Sequence, residues 1–326
     1  MKNKACRPIK SDLKSHRIVP ETEKSSRWNF FKILREYSTL REFYPDIDPY
    51  AEAYKFRDNM YAIFSEGLSS GTADTWNFLI IGPEKAMLID TGCGVGNLRG
   101  LCEFLAPGKE IICVNTHHHL DHSGGNPAFE KVYIHEYDVP HLLAERAHIP
   151  ERWLNEKGEP RETWFDVADL VPYRDYELVG FRDGDTFDLG EGYLIEVKHL
   201  PGHTPGQSAF YDKQSHCLYI GDNTSCFGPG EGEAHPECCT VRALRDALKK
   251  LEPLFDEISG VFAGHGTIDQ HPLVLQYLMD TADRILAHPD WYDNKVDFGG
   301  REMMAKFIYQ YGSDLKYTMA GVEMRD

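Results

Sequence analysis

His117, His119, Asp121 and His122 fall within six residues of one stretch, Thr116-His117-His118-His119-Leu120-Asp121-His122-Ser123-Gly124-Gly125. Imidazole suits zinc and iron, and carboxylate suits harder ions, so a mixed set points to a metal that does chemistry. A structural zinc site normally uses cysteine and closes its coordination shell. None of the eight cysteines lies in this stretch. A strand would place His117, His119 and Asp121 on one face and His122 on the other. Glu110–Asn115 before the cluster reads as a short buried strand, and Ser123–Pro127 after it is turn chemistry. The spacing therefore predicts a loop at a strand's C-terminal end, with side chains converging on two metal sites.

Three later apolar runs end in the same way. Leu194–Val197 leads to His199-Leu200-Pro201-Gly202-His203, Cys217–Ile220 to Gly221-Asp222, and Ile258–Ala263 to Gly264-His265-Gly266. Each puts a histidine or aspartate beside glycine, which permits a sharp turn or a close backbone approach. Taken alone, Asp222 would be an ordinary turn aspartate. The histidine triplet is internal and is followed by Asp121-His122, which sets it apart from a terminal tag.

On these residues the chain resembles the metallo-β-lactamase superfamily. His117, His119, Asp121 and His122 match that family's His-x-His-x-Asp-His motif. His203, Asp222 and His265 match its later ligands in order, and Asp90 in Asp90-Thr91-Gly92 matches an early Asp-x-Gly element. The resemblance covers roughly residues 55 to 270 and implies an α+β fold, the αββα sandwich. It implies one metal held by His117, His119 and His203, and a second held by Asp121, His122 and His265. Asp222 would bridge the two. Asp90 would orient a ligand histidine from behind, since metal-bound imidazoles usually give their other N–H to such a partner. His118, His135, His141, His148, His216, His271 and His288 are read as structural or surface residues. His199 is left open between those roles and the pocket.

The implied cofactors are two divalent metal ions, zinc first, with iron or manganese as alternatives. Two ions sharing a water lower its pKa toward neutrality. The expected activity is therefore hydrolysis by a metal-bridging hydroxide, with Asp121 as both ligand and proton carrier. The bond is expected to be ester-type: thioester, lactone, ester or phosphodiester. Relatives that act as β-lactamases generally lack the bridging aspartate, so Asp222 argues against that role. Asn223-Thr224-Ser225-Cys226 lacks the tyrosine of some lactonases, and no convincing basic glutathione-binding cluster is evident. No flavin-type module is visible. The runner-up is a mononuclear iron enzyme similar to sulfur dioxygenases. A non-catalytic metal-binding or docking protein would be expected to have a damaged ligand set.

The 326 residues suffice for a full core, and 41% are hydrophobic. No apolar stretch approaches 18 residues, so no integral membrane segment is expected. The N-terminus lacks the apolar core of a secretory signal. Scattered cysteines, with Cys238 and Cys239 adjacent, favour a reducing cytoplasm over a disulfide framework. Of the net charge of −17, residues 1–44 carry +6 and the remainder −23. An acidic body repels polyanions, so the expected partner is a small-molecule substrate and not nucleic acid. The basic arm would suit a homo-oligomer.

The elements that must position the cluster follow. Residues 1–54 read as an N-terminal arm and helix, the helix spanning Arg27 to Phe43 and docked on the domain or on a second subunit. Residues 55–326 read as the main domain. Strands are expected at Met60–Phe64, Trp76–Ile81, Ala86–Ile89 and Val132–Ile134, and helices at Val95–Leu105 and Thr240–Glu252, the latter with a threonine cap. Residues 136–182, carrying Trp153, Trp164, Phe165, Tyr173 and Tyr176, read as an insertion forming a lid or a peripheral small core. Residues 271–326 read as a helical extension, with Phe307, Tyr309 and Tyr311 near the entrance.

Overall fold

The computed structural model describes residues 6–8, 13–20, 30–68, 74–298, 300–308 and 313–324. Two sheets lie face to face. The first has eight strands in the order Glu177–Phe181, Lys131–His135, Glu110–Val114, Lys85–Ile89, Thr75–Ile81, Met60–Ser65, Ala51–Arg57 and Arg41–Glu42. The second has five: Thr186–Asp188, Leu194–His199, Ser208–Asp212, Cys217–Gly221 and Gly260–Ala263. Strand alternation decides what goes where. Phe210 and Tyr219 point between the sheets, where they meet Trp76, Phe78 and Ile89 of the first sheet. Their neighbours Ala209, Tyr211, Leu218 and Ile220 point outward into a second core, against the helices Val241–Leu251 and Leu273–Ala287. The helix Leu98–Leu105 covers the outer face of the first sheet through Leu101 and Cys102. The layers are helix, sheet, sheet and helix, which is the expected αββα sandwich.

Local chemistry sets the helix ends. Thr240 Oγ1 accepts from Ala243 N at 3.1 Å, capping Val241–Leu251 as expected. Val241, Leu244, Leu248 and Leu251 then recur at helical spacing and are all buried. Truncating a side chain such as Leu248 to alanine costs ~2–5 kcal/mol. The Val95–Leu105 helix starts later than expected, at Leu98, because Gly94 and Gly96 take φ of 80° and 87°. Asn97 Oδ1 caps it by accepting from Gly100 N at 3.0 Å.

The N-terminal helix covers Phe30–Tyr37, and Arg27–Asn29 lie outside the described residues. It ends before Ser38, whose Oγ accepts from Leu40 N at 3.0 Å, and Arg41–Glu42 go on to join the first sheet. The helix docks on its own domain. Arg35 gives two 2.9 Å bonds to the buried Glu52 carboxylate, which also takes Arg41 at 2.8 Å. A division at residue 54 would cut the strand Ala51–Arg57, so the sandwich extends back to Arg41.

The C-terminal stretch departs from its helical reading. Among the described residues its one α-helix is Leu273–Ala287. Asn294–Phe298, Arg301–Ile308 and Ser313–Tyr317 are strands of a further sheet that also takes in Ser225–Cys226. Buried Met303-Met304-Ala305 and the turn at Gly300, φ 82°, favour a hairpin there. Phe307 is 46% exposed, while Tyr309 and Tyr311 lie outside the described residues. Within 136–182, Trp153 and Phe165 are buried with Leu142, Ile149, Tyr50 and Cys93. Trp153 Nε1 donates to Cys93 O at 2.9 Å, which braces the loop that follows Asp90. Trp164 and Tyr173 are exposed. No helix among the described residues is long and apolar enough to cross a membrane.

Candidate metal centre

The strand Glu110–Val114 delivers its chain to the sandwich edge, where Thr116–His119 turn into a single helical turn, Leu120–Ser123. That turn breaks the strand alternation and brings Asp121 and His122 round toward the same space as His117 and His119. His203, Asp222 and His265 arrive on the loops after the second-sheet strands Leu194–His199, Cys217–Gly221 and Gly260–Ala263. Two glycines make room. Gly221 takes φ 56° with Thr116 Cβ only 2.8 Å from where a side chain would begin, and a Cβ on Gly264 would sit 2.8 Å from Asp222 Oδ1 and His122 Cε1.

All seven residues singled out by the sequence converge. Their ligand atoms form three overlapping groups, each within 4.8 Å: His117, His119 and His203; His117, His122 and Asp222; and Asp121, His122 and His265. His119 Nδ1 lies 3.1 Å from His117 Nε2 and 2.9 Å from His203 Nε2. On the other side His122 Nε2 lies 3.1 Å from His265 Nε2. Asp222 stands between, with Oδ1 3.5 Å from His122 Nε2 and Oδ2 3.6 Å from His203 Nε2 and 3.2 Å from His265 Nε2.

The rings are held from behind. Asp90, at a strained φ of 64°, accepts from Thr116 N and Thr116 Oγ1, and its Oδ2 lies 2.8 Å from His122 Nδ1. His203 Nδ1 meets Ser225 O at 2.9 Å, and His265 Nδ1 meets Asp74 O at 2.9 Å. His117 Nδ1 meets Thr116 Oγ1 at 3.0 Å. In each case the remaining nitrogen, Nε2, faces the centre.

The electrostatics divide the centre. Burial, reinforced by neighbouring rings, holds His117 and His119 well below the ordinary histidine pKa. Burial lowers His203 as well, against the pull of Asp222. At His122 and His265 burial also opposes charge, but Asp222 outweighs it with help from Asp121, and at His122 from Asp90. These two rise to about 9 and about 10. Asp222 moves the other way: burial would raise it, yet His265 and His122 hold it far below the carboxylate range.

This donor set fits a metal. Neutral imidazoles are metal ligands as they stand, and Asp222 Oδ1 is a buried oxygen with no hydrogen-bond donor among the described residues. An unsatisfied buried carboxylate oxygen is costly unless a cation takes it.

Asp138 had no signal in the sequence. It is fully buried and accepts from His118 N at 3.0 Å, Thr204 Oγ1 at 2.8 Å and Gly206 N at 2.6 Å, tying the His117–His119 loop to the His203 loop. His118 also turns its ring to Asp138, at 3.0 Å, and stacks on His141, away from the convergent atoms. His199 joins no ligand group: its Nε2 meets Pro205 O at 2.8 Å and its ring stacks on His135.

Fold and site together define an αββα sandwich with a histidine–aspartate centre at the edge between its sheets. A profile of the metallo-beta-lactamase superfamily matches residues 71–254, and the chain belongs to that superfamily. His265 lies beyond the matched stretch. Among curated relatives, the acyl-coenzyme A thioesterase MBLAC2 of Homo sapiens is 31% identical over 175 residues, 47% of this chain and 59% of that protein. The chain thus spans about three-fifths of that relative's length. The hydroxyacylglutathione hydrolase GloC of Haemophilus influenzae is 25% identical over 205 residues, 56% of this chain and 81% of that one. Among solved structures, the sec-alkyl sulfatase PisA1 aligns at TM-score 0.50 and 17% identity, over 74% of this chain and 43% of that one, a likeness of fold alone.

Proposed function

We propose that this chain is a dinuclear metallohydrolase that cleaves a thioester of a small acyl group. The observation that carries the reading is the overlap of the three ligand groups around the unsatisfied Asp222 Oδ1. His117, His119 and His203 would hold one ion, Asp121, His122 and His265 the other, and Asp222 would lie between them. When bound, such ions make a nucleophile of water at neutral pH and polarise the scissile carbonyl. Zinc suits the donor set best, with iron and manganese also compatible.

The chain's own groups do the rest. Asp90 fixes the His122 tautomer, and the Ser225 and Asp74 carbonyls do the same for His203 and His265. Asp121, 3.5 Å from His265 Nε2, is the carboxylate placed to carry a proton toward the leaving group. A thiol's pKa near ~8.5 makes that delivery less demanding than for an alcohol. A cavity of ≈ 280 Å³ opens beside Asp222 and His265, with Val274, Leu275 and Leu278 in its wall. That is small for a ligand site, where ~300–1,000 Å³ is usual, and suits a short acyl group. The two relatives with thioester-cleaving names support the bond type.

A one-iron oxygen-consuming enzyme would leave Asp121, His122 and His265 without a task, although their ligand atoms lie within 4.8 Å of one another. The seven cysteines whose side chains are described are all free, which supports a reducing compartment. The test is turnover by metal-loaded protein on thioester, lactone, ester and phosphodiester probes. Thioester hydrolysis abolished by a chelator is expected. Phosphodiester cleavage without thioester cleavage would overturn the bond type.

A further inference from the structure

Three strands of the C-terminal sheet, Asn294–Phe298, Arg301–Ile308 and Ser313–Tyr317, lie beyond the matched residues 71–254, and they pair with Ser225–Cys226 beside the candidate centre. Phe227 is the point of contact. Its ring lies 5.2 Å from that of His203 and 6.3 Å from that of His119. The sheet fixes it there: Ser225–Cys226 pairs with Ser313–Tyr317, and Thr318 Oγ1 donates to Phe227 O at 2.8 Å. On Phe227 rests the tip of the hairpin formed by Asn294–Phe298 and Arg301–Ile308. Phe298 and Arg301 are direct partners across that tip, so both project from one face of the ribbon. The Phe298 ring lies 5.5 Å from Phe227, and the Arg301 guanidinium sits 5.7 Å from the centre of the same ring.

Arg301 differs from Lys295 on the same hairpin, which is paired with Glu302, and its place beside Phe227 next to the convergent histidines sets it apart from other cations of the chain. Among the described residues no carboxylate lies within ion-pair distance of Arg301; only the Phe227 face holds it. A guanidinium laid on an aromatic face keeps its planar donor edge free, and that fork matches a carboxylate or a phosphate. The acyl cavity lies on the Asp222–His265 side of the centre, and Phe227 lies on the His119–His203 side. A substrate spanning both would put its acyl group in the cavity and its thiol-bearing part across Phe227.

We propose that Arg301, seated on Phe227, selects substrates whose leaving thiol carries a fixed negative charge. This rests on the thioester reading above and adds the class of leaving group. The anion is a carboxylate or a phosphate, and the two sources are separable.

The experiment measures binding, by calorimetry, to the zinc-loaded protein. Three probes carry no free thiol: S-methylglutathione supplies carboxylates, S-methyl-coenzyme A supplies phosphates, and an S-methyl N-acetylcysteamine is uncharged. In Arg301→Gln, one anionic probe should bind roughly 10- to 100-fold more weakly, the loss of a charged hydrogen bond. Arg301→Lys should recover part of that loss, and the uncharged probe should bind alike throughout. Whichever anion responds names the source. Equal affinity of both anions for wild type and Arg301→Gln, or an equal loss for charged and uncharged probes, overturns the proposal. Arg301 is exposed at a hairpin tip, and an unchanged circular dichroism spectrum and metal content confirm that the variant folds. Turnover is read separately. Arg301-dependent anion binding without thioester cleavage refutes the proposed reaction, and with it the assignment to a leaving thiol, while the anion contact at Arg301 stands. Thioester cleavage with Arg301-independent binding does the reverse.

Discussion

The His117–His119–His203 half of the centre and the Asp121–His122–His265 half use similar side chains in opposite electrostatic settings. In the first, burial holds all three imidazoles below the ordinary range, with neighbouring rings adding to it at His117 and His119 and Asp222 opposing it at His203. In the second, Asp121 and Asp222 sit against the rings, and in the absence of metal the rings carry the balancing charge. The first half is shifted toward the neutral form that a cation needs, and the second toward the protonated form. Ligand identity alone therefore does not fix how a metal site behaves. The carboxylates beside the rings decide whether metal binding must displace protons.

The largest expected effect comes from removing the residue shared by both halves. Asp222→Ala should lower turnover by more than the ~10- to 100-fold typical of losing a partner behind a ligand, and reduce metal content, measured by elemental analysis of purified protein. Retention of both metals and of activity would erase the distinction between the halves.

Next in size is the pH dependence. His122 and His265 are raised from 6.5 to about 9 and about 10, so their contribution to folding is complete below pH 6.5 and is lost as pH rises through those values. His117, His119 and His203 are lowered, so their contribution is present above pH 6.5 and is lost as pH falls. The metal-free protein should therefore have its highest thermal midpoint near pH 6.5 and lose stability toward pH 10. Metal should remove the alkaline loss, because the protons are already displaced. Calorimetry at pH 7 in two buffers of different ionisation enthalpy should show proton release confined to the second equivalent of metal. Equal release for both equivalents would refute the contrast.

A smaller, selective effect follows from the residues behind the ligands. Asp90→Asn should weaken the second half, and Asp138→Asn the first, each by about 10- to 100-fold in metal affinity. A metal titration of each variant shows which half has moved. Smallest is a control that touches neither half: Thr240→Ala should cost about 1 kcal/mol of stability through its lost cap, with metal content unchanged in elemental analysis.

The seven convergent side chains were legible because metal chemistry restricts residue type, and because glycine or a strand end marks where each emerges. Asp90 was legible only through the resemblance, from its match to the family's Asp-x-Gly element. Asp138 was not, because Tyr137-Asp138-Val139 looks like any solvated turn and only tertiary burial makes it a tie between two loops. The C-terminal sheet was read as helix because a short buried run such as Met303-Met304-Ala305 has no period of its own; the Gly299-Gly300 pair before it was the available hairpin signal. Arg301 draws its interest from Phe227, a neighbour 74 positions away that no local pattern could supply.

The measurement that tests the central claim most directly is metal content per chain in freshly purified protein, alongside His203→Ala and His265→Ala. Two ions per chain in the wild type, with about one retained in each variant, is the result expected from two separable halves. One iron per chain, unaffected by His265→Ala and accompanied by oxygen uptake on a persulfide, would contradict the dinuclear hydrolase.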